Sequence, residues 1–168
     1  MVKRMKKLLL IRHAKSSHQY PELSDHDRPL NKRGEKDTIT MANWLVDNEP
    51  DLELIITSTA KRALKLAETI YQNYPDNTSV QFERNCNLYT FSAREFMSEI
   101  HKLPNPVNSI AIVGHNPAIT TVANQLGHAI ENIPTSGIVA FKSKSSQWSD
   151  FSAKEVEFEY YQAPKMLI

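Results

Sequence analysis

The chain has one cysteine, Cys86, in 168 residues. An internal disulfide is impossible, a thiolate metal cluster within one chain is excluded, and a soluble cytoplasmic protein is the default. It also lacks an excess of either charge. Twenty Lys and Arg stand against nineteen Asp and Glu, for a formal net charge of +1. No global field therefore points to nucleic acid or to a membrane surface. Long apolar runs are missing as well. The basic start (Lys3, Arg4, Lys6, Lys7) is followed only by Leu8 to Ile11 before Arg12. That is too short for the apolar region of a signal peptide, and no stretch approaches the length of a membrane span. There is no internal repeat, low-complexity tract or linker. With 40% apolar residues, the chain reads as one domain over residues 1–168, large enough to bury a full core and expected to be a monomer.

What is present is an alternation of strand and helix. Leu8 to Ile11, Leu54 to Ile56 and Ile110 to Val113 are short continuous apolar runs, the pattern of strands covered on both faces. Lys15 to Leu30 is polar, contains Pro21 and Pro29, and reads as a loop. Asn31 is placed to cap a helix with Ile39, Met41, Ala42, Leu45 and Val46 at helical spacing, ended by Asn48 to Pro50. Ser58 and Thr59 open a second helix with Ala63, Leu66, Ala67 and Ile70 on one face. Ser79 to Phe82 is a third strand, and a helix from about Ala93 to Leu103 turns Phe96, Met97 and Ile100 inward before Pro104 and Pro106. Asn116 caps a last helix with Pro117 at its first position and Gly127 at its end. Ile138 to Phe141 and Val156 to Tyr160 look like strands joined by a turn near Lys144 to Gln147, able to pair antiparallel at a sheet edge. The whole predicts a three-layer α/β/α sandwich with a mostly parallel sheet and an antiparallel edge.

In such sheets ligands bind beyond the carboxyl ends of the strands. Arg12 and His13 end the first strand. Ser58 to Arg62 follow the second and open a helix, and Gly114, His115 and Asn116 end a later strand and open another. Helix N-termini and arginines favour an anion, and a guanidinium fork suits phosphate. Two histidines in the same place add a nucleophile and a proton donor near neutral pH. Singly, each has a plain reading: Arg12-His13 as a solvated loop, Arg62 in a surface ion pair, His115 as a satisfied loop histidine. Their joint placement favours phosphoryl chemistry. His18, His26, Asp25 and Asp27 fit no compact metal-ligand spacing and read as a flexible polar loop. His101 and His128 are expected on helix surfaces, and Trp44 and Trp148 in core or edge packing.

These residues also resemble a known family. Arg12-His13-Ala14-Lys15-Ser16 is similar to the R-H-G signature of the histidine phosphatase superfamily, with its phosphoglycerate mutase-like fold. Ser58 to Ala63 resembles its S-P-x-x-R-A segment, Gly114-His115-Asn116-Pro117 its second-histidine segment, and Arg28 to Gly34 its R-P-L-T-x-x-G stretch. The likeness is strongest to the short SixA-type phosphohistidine phosphatases and spans nearly the whole chain. It implies that His13 attacks phosphorus and becomes a transient phosphohistidine, while Arg12, Arg62 and His115 hold the phosphoryl oxygens. On that reading His13 is neutral at its attacking nitrogen, favoured by a hydrogen bond from its other nitrogen to a backbone carbonyl, and His115 is protonated. Ser16 and Asn116 are candidate supporting donors, and Lys15 either lines the pocket or is solvated. No metal and no cofactor is expected, because the arginines supply the positive charge.

Three positions depart from the superfamily pattern. Ala14 replaces the glycine after the nucleophile, a substitution common in SixA-type chains, and Thr59 replaces a proline. Leu88-Tyr89-Thr90 stands where an L-x-E segment carries the usual general acid. Glu83 and Glu95 are the fallback acids. An imidazole leaving from phosphohistidine needs less protonation than an alkoxide, and no segment between Arg62 and His115 is long enough for a cap over the pocket. Both features predict a phosphohistidine-bearing protein as substrate. The alternatives are a small-molecule phosphomonoesterase of the same mechanism and a non-catalytic module that binds phosphorylated partners.

Overall fold

The computed structural model describes residues 5–168; Lys3 and Arg4 of the basic start lie outside the described residues. The apolar runs become strands: β1 (Lys6–Arg12), β2 (Leu54–Thr57), β3 (Gln81–Arg84), β4 (Ser109–Gly114), β5 (Ile138–Ser143) and β6 (Val156–Gln162). They form one sheet in the order β3-β2-β4-β1-β5-β6. The first four are parallel, and β5 and β6 add antiparallel to the β1 edge. Parallel neighbours need crossovers, supplied here by helices α1 (Lys32–Asn48), α2 (Lys61–Asn73) and α3 (Ala93–His101), while α4 (Ala118–Gln125) leads from β4 into the antiparallel β5.

Alternate side chains of the central strands serve two separate cores. Leu9, Ile11, Ile55 and Val113 face α1 and α2, while Leu8, Leu10, Ile56 and Ile112 face α3 and α4. Helices on both faces give the three layers that the alternation predicts. Each such aliphatic side chain, fully buried, stabilises the fold by about 1.5–3 kcal/mol. Among the described residues, no helix is long and apolar enough to cross a membrane.

The differences from the sequence reading have local causes. The buried stripe of α1 is Gly34, Thr38, Met41, Ala42 and Leu45, and Ile39, one position past Thr38, is rotated off it and 58% exposed. α2 starts at Lys61 rather than at Ser58, because the Ser58 hydroxyl oxygen accepts from the Ala60 N–H and forms a turn first. β3 begins at Gln81, where pairing with Leu54 begins. The Asn116 side chain accepts from the Thr120 N–H and hydroxyl, yet the cap position is Pro117 and the helix opens at Ala118. The connection from β5 to β6 is longer than a tight turn. It includes a 3-10 turn, Trp148–Asp150, that buries the Trp148 indole completely, with its N–H donating to the Val107 carbonyl at 2.9 Å.

One contact fixes the loop behind the first strand. A Cβ on Gly34 would lie 2.1 Å from the Lys15 carbonyl oxygen, so only glycine lets the first turn of α1 pack there. The Asn31 N–H donates to that same carbonyl at 3.0 Å. The helix start and the chain just after His13 thus form one unit.

Candidate active site

The carboxyl ends of β1, β2 and β4 are adjacent, and the hydrogen bonding continues past them. The His13 N–H donates to the Gly114 carbonyl and the Ser58 N–H to the Val113 carbonyl, each at 3.0 Å. Ser136 is held in the left-handed region at φ 62°, a conformation that costs of order 1–3 kcal/mol. It brings one N–H within 3.0 Å of both the Arg12 and His13 carbonyls. The result is a cleft of about 390 Å3 bordered by Arg12, His13, Lys15, Ser16, Arg62, His115 and Asn116, the phosphate-handling residues named from sequence.

His13 is buried, and its Nδ1 lies 2.8 Å from the Ala14 carbonyl oxygen. A carbonyl only accepts, so Nδ1 carries the proton and Nε2 keeps its lone pair. Burial pushes the His13 pKa down to about 4; the nearby Arg62, Arg12 and Arg28 act in the same direction, against the Ala14 hydrogen bond. A neutral His13 ring with its Nδ1–H on a backbone carbonyl is the state the sequence reading described.

His115 departs from expectation. Its Nδ1 is 3.5 Å from an Arg62 Nη and its Nε2 is 2.7 Å from the Ser58 hydroxyl oxygen. A guanidinium only donates, so Nδ1 is bare and the proton sits on Nε2. Burial, reinforced by His13 and Arg62, lowers the His115 pKa to about 3. The ring is neutral here, not the protonated donor that the sequence reading assigned. The two imidazoles stand 5.1 Å apart, and both are held in the same charge state.

Arg62 is buried beside the cleft and Arg12 is partly buried. Arg62, 3% exposed in the first turn of α2, donates to the Asp25 carbonyl at 2.6 Å and to Asp25 Oδ2 at 2.9 Å. Arg12 donates to the Ile133 carbonyl at 2.8 Å, and the Nε–H groups of both arginines are buried without a partner. Unsatisfied, buried cationic donors beside a cleft suit an incoming anion. Asn116 donates to Asn132 and to the Ile133 carbonyl, which ties it to the segment that holds Arg12.

Sequence reasoning missed Asp25, Arg28, Tyr89 and Phe91, all of which border the cleft. The loop read as flexible is folded over the site. Asp25 accepts from Arg62, from the Tyr89 hydroxyl at 2.6 Å and from Arg28 at 2.9 Å. Burial opposes ionisation of Asp25, but these hydrogen bonds together hold its carboxyl well below the ordinary range. His26 lies 2.9 Å from the Thr59 hydroxyl oxygen and edge-on to Tyr89. The available signal was Leu88-Tyr89-Thr90, read only for the acid it lacks. The fallback acids do not border the cleft. Glu83 is exposed on edge strand β3, and Glu95 accepts from the Thr90 hydroxyl in the first turn of α3. His101 is exposed on α3 as expected, whereas His128 lies beyond α4 and stacks on Phe158 at 3.9 Å. Among the described residues, no three His, Cys, Asp or Glu side chains are grouped to hold a metal ion.

The two lowered histidine pKa values set a pH dependence of stability. Unfolded histidine titrates near 6.5, so below that pH the unfolded chain binds protons that folded His13 and His115 refuse. Stability is full above about 6.5 and falls as pH drops toward about 4 and 3, by about 1.4 kcal/mol per pH unit for each ring. Denaturant unfolding between pH 7 and 4 measures this. His115→Gln should flatten the slope by about one proton, and an unchanged slope would contradict the assignment.

Residues 8–86 match the model of the histidine phosphatase superfamily, branch 1. An uncharacterized protein of Mycobacterium tuberculosis is 31% identical over 152 residues, covering 83% of this chain and 90% of that one. The chain belongs to the histidine phosphatase superfamily. It is accordingly a phosphatase. An uncharacterized chloroplastic protein of Arabidopsis thaliana is 26% identical, over 86% of this chain and 70% of its own. Among solved structures, the protein histidine phosphatase SixA complexed with tungstate superposes with a TM-score of 0.78 at 21% identity, covering 96% and 99% of the two chains. A mycobacterial glucosyl-3-phosphoglycerate phosphatase complexed with VO3 gives 0.67 at 12% identity, covering 94% and 99%. At these identities the structural likeness speaks for the fold: a six-stranded, mostly parallel sheet with an antiparallel edge.

Proposed function

We propose that this chain is a phosphohistidine protein phosphatase that works through a phosphohistidine intermediate on His13. The observation that carries the proposal is the charge state of the cleft. His13 presents a bare Nε2, and Asp25, the one carboxylate bordering the cleft among the described residues, is held ionised. A carboxylate held below its ordinary range is a poor proton donor for an alkoxide. Phosphoryl transfer between two imidazoles needs no such donor.

The Nε2 lone pair of His13 bonds to phosphorus as the substrate P–N bond breaks. The bonding pair goes to the leaving nitrogen, and the substrate imidazole, protonated on its other nitrogen, departs neutral. His13 keeps its Nδ1–H toward the Ala14 carbonyl throughout. Water then attacks phosphorus, the P–N pair returns to Nε2, and the water proton passes to a phosphate oxygen. Arg12 and Arg62 stabilise the phosphoryl oxygens in both steps, and Ser16, Lys15 and Asn116 lie within the same cleft as supporting groups. The SixA neighbour, which binds tungstate, supports the reading through its name and its oxyanion. Cys86, an exposed free thiol, supports a reducing, cytoplasmic setting.

The test is phosphate release from a phosphohistidine carrier protein, with glycerol 2-phosphate, an ester whose leaving group is an alkoxide, in parallel. We expect kcat/KM for the protein to exceed that for the ester by about 10²-fold or more, the usual worth of a missing acid. Rapid ester hydrolysis with no activity on the phosphoprotein would overturn the substrate assignment in favour of a phosphomonoesterase. Tight binding of the phosphoprotein without turnover would favour the binding module.

A further inference from the structure

The cleft has one wall that no phosphate oxygen explains. Phe91 borders it yet is 52% exposed, so a large apolar ring stands in solvent beside a site otherwise lined by polar and charged side chains. It closes a row of rings that begins at the nucleophile. His13 lies 5.1 Å from His115, His115 lies 5.2 Å from Tyr89, and Tyr89 lies 5.8 Å from Phe91. Phe91 is also 6.0 Å from His115 itself.

The segment that carries it is fixed. Leu88 is buried in the core, the Tyr89 hydroxyl donates to Asp25, and the buried Thr90 hydroxyl donates to Glu95 and accepts from the Ser92 N–H. Phe91 therefore sits between two anchored neighbours, on a rim that loses little freedom when something packs against it. A rigid aromatic face beside a phosphoryl site fits a flat leaving group, because offset or edge-on ring pairs add to simple burial.

We propose that Phe91, backed by Tyr89, is the surface on which the leaving imidazole of the substrate packs, making Phe91 a specificity-determining residue. This rests on the phosphohistidine reading above. The side chain is largely exposed and its removal opens no core cavity, so Phe91→Ala folds. Three substrates separate the possibilities: phosphoimidazole, phosphoramidate (the same P–N bond without a ring) and a phosphohistidine carrier protein.

Phe91→Ala should raise KM for phosphoimidazole and for the carrier by about two- to tenfold, the range of an aromatic pair. Phosphoramidate should be unaffected, and Phe91→Trp should restore the wild-type KM. Equal losses on phosphoimidazole and phosphoramidate would mean a merely structural role and overturn the inference. A loss on the carrier alone would overturn it too, since Phe91 would then contact the partner protein and not the imidazole. No change on any substrate would overturn it while leaving the parent reading intact. A wild type that cleaves none of the three P–N substrates would overturn both.

Discussion

Replacing His13 by alanine is expected to lower phosphate release from any substrate by on the order of 10⁴-fold or more, because the proposed nucleophilic nitrogen is removed. Ground-state binding should survive. Arg12 and Arg62 are fixed by the Ile133 and Asp25 carbonyls, not by His13, so their guanidinium groups stay in place in the variant. Affinity for inorganic phosphate, measured by calorimetry, should therefore change only severalfold while turnover disappears. The same measurement on His13→Gln guards against a local collapse in the alanine variant. Retention of more than about 1% of wild-type turnover in both variants would remove His13 from the mechanism.

The second large effect is at Arg62. Arg62→Ala removes the buried guanidinium that we propose holds the phosphoryl oxygens and should lower kcat by about 10²–10³-fold, the usual worth of one preorganised charge-stabilising group. It also removes a positive charge that depresses both His13 and His115. The sign follows directly: without Arg62 both rings protonate more easily, so the acid limb of kcat/KM should move to higher pH. Asp25 loses its Arg62 hydrogen bonds and should titrate closer to the ordinary carboxylate range, though Tyr89 and Arg28 still hold it. Arg62→Lys keeps the charge but cannot span both the carbonyl and the carboxylate of Asp25, so it should retain the pH profile better than the rate. A pH profile unmoved in Arg62→Ala would contradict the electrostatic account of the two histidines.

The parts of this fold legible in the sequence are those with a strong one-dimensional signal. Leu8 to Ile11, Leu54 to Ile56 and Ile110 to Val113 are short continuous apolar runs and became the central strands, and Arg12, His13, Arg62, His115 and Asn116, which follow them in the chain, meet in the cleft. Asn31 was recognisable as a cap, and its side chain accepts from the Gly34 N–H at 2.8 Å. What was not legible depends on distance in space. Asp25 and Arg62 are far apart in the chain, and nothing in a polar loop announces that one of its carboxylates will fold onto a buried arginine. Tyr89 was visible only as an acid's absence, whereas its hydroxyl and ring are a positive part of the site. The neutrality of His115 was hidden for the same reason. It follows from burial and from which neighbours face each nitrogen, and the pattern Gly114-His115-Asn116 contains neither.

The most direct test of the central claim is to mix the enzyme with a 32P-labelled phosphohistidine carrier, quench within milliseconds in alkali, where a phosphorus–nitrogen bond survives, and locate the label by peptide mapping. A transient label is expected on the peptide that carries His13, confined to that histidine and absent from His13→Ala. Full turnover with no labelled enzyme at any time, or a label on His115, would contradict it.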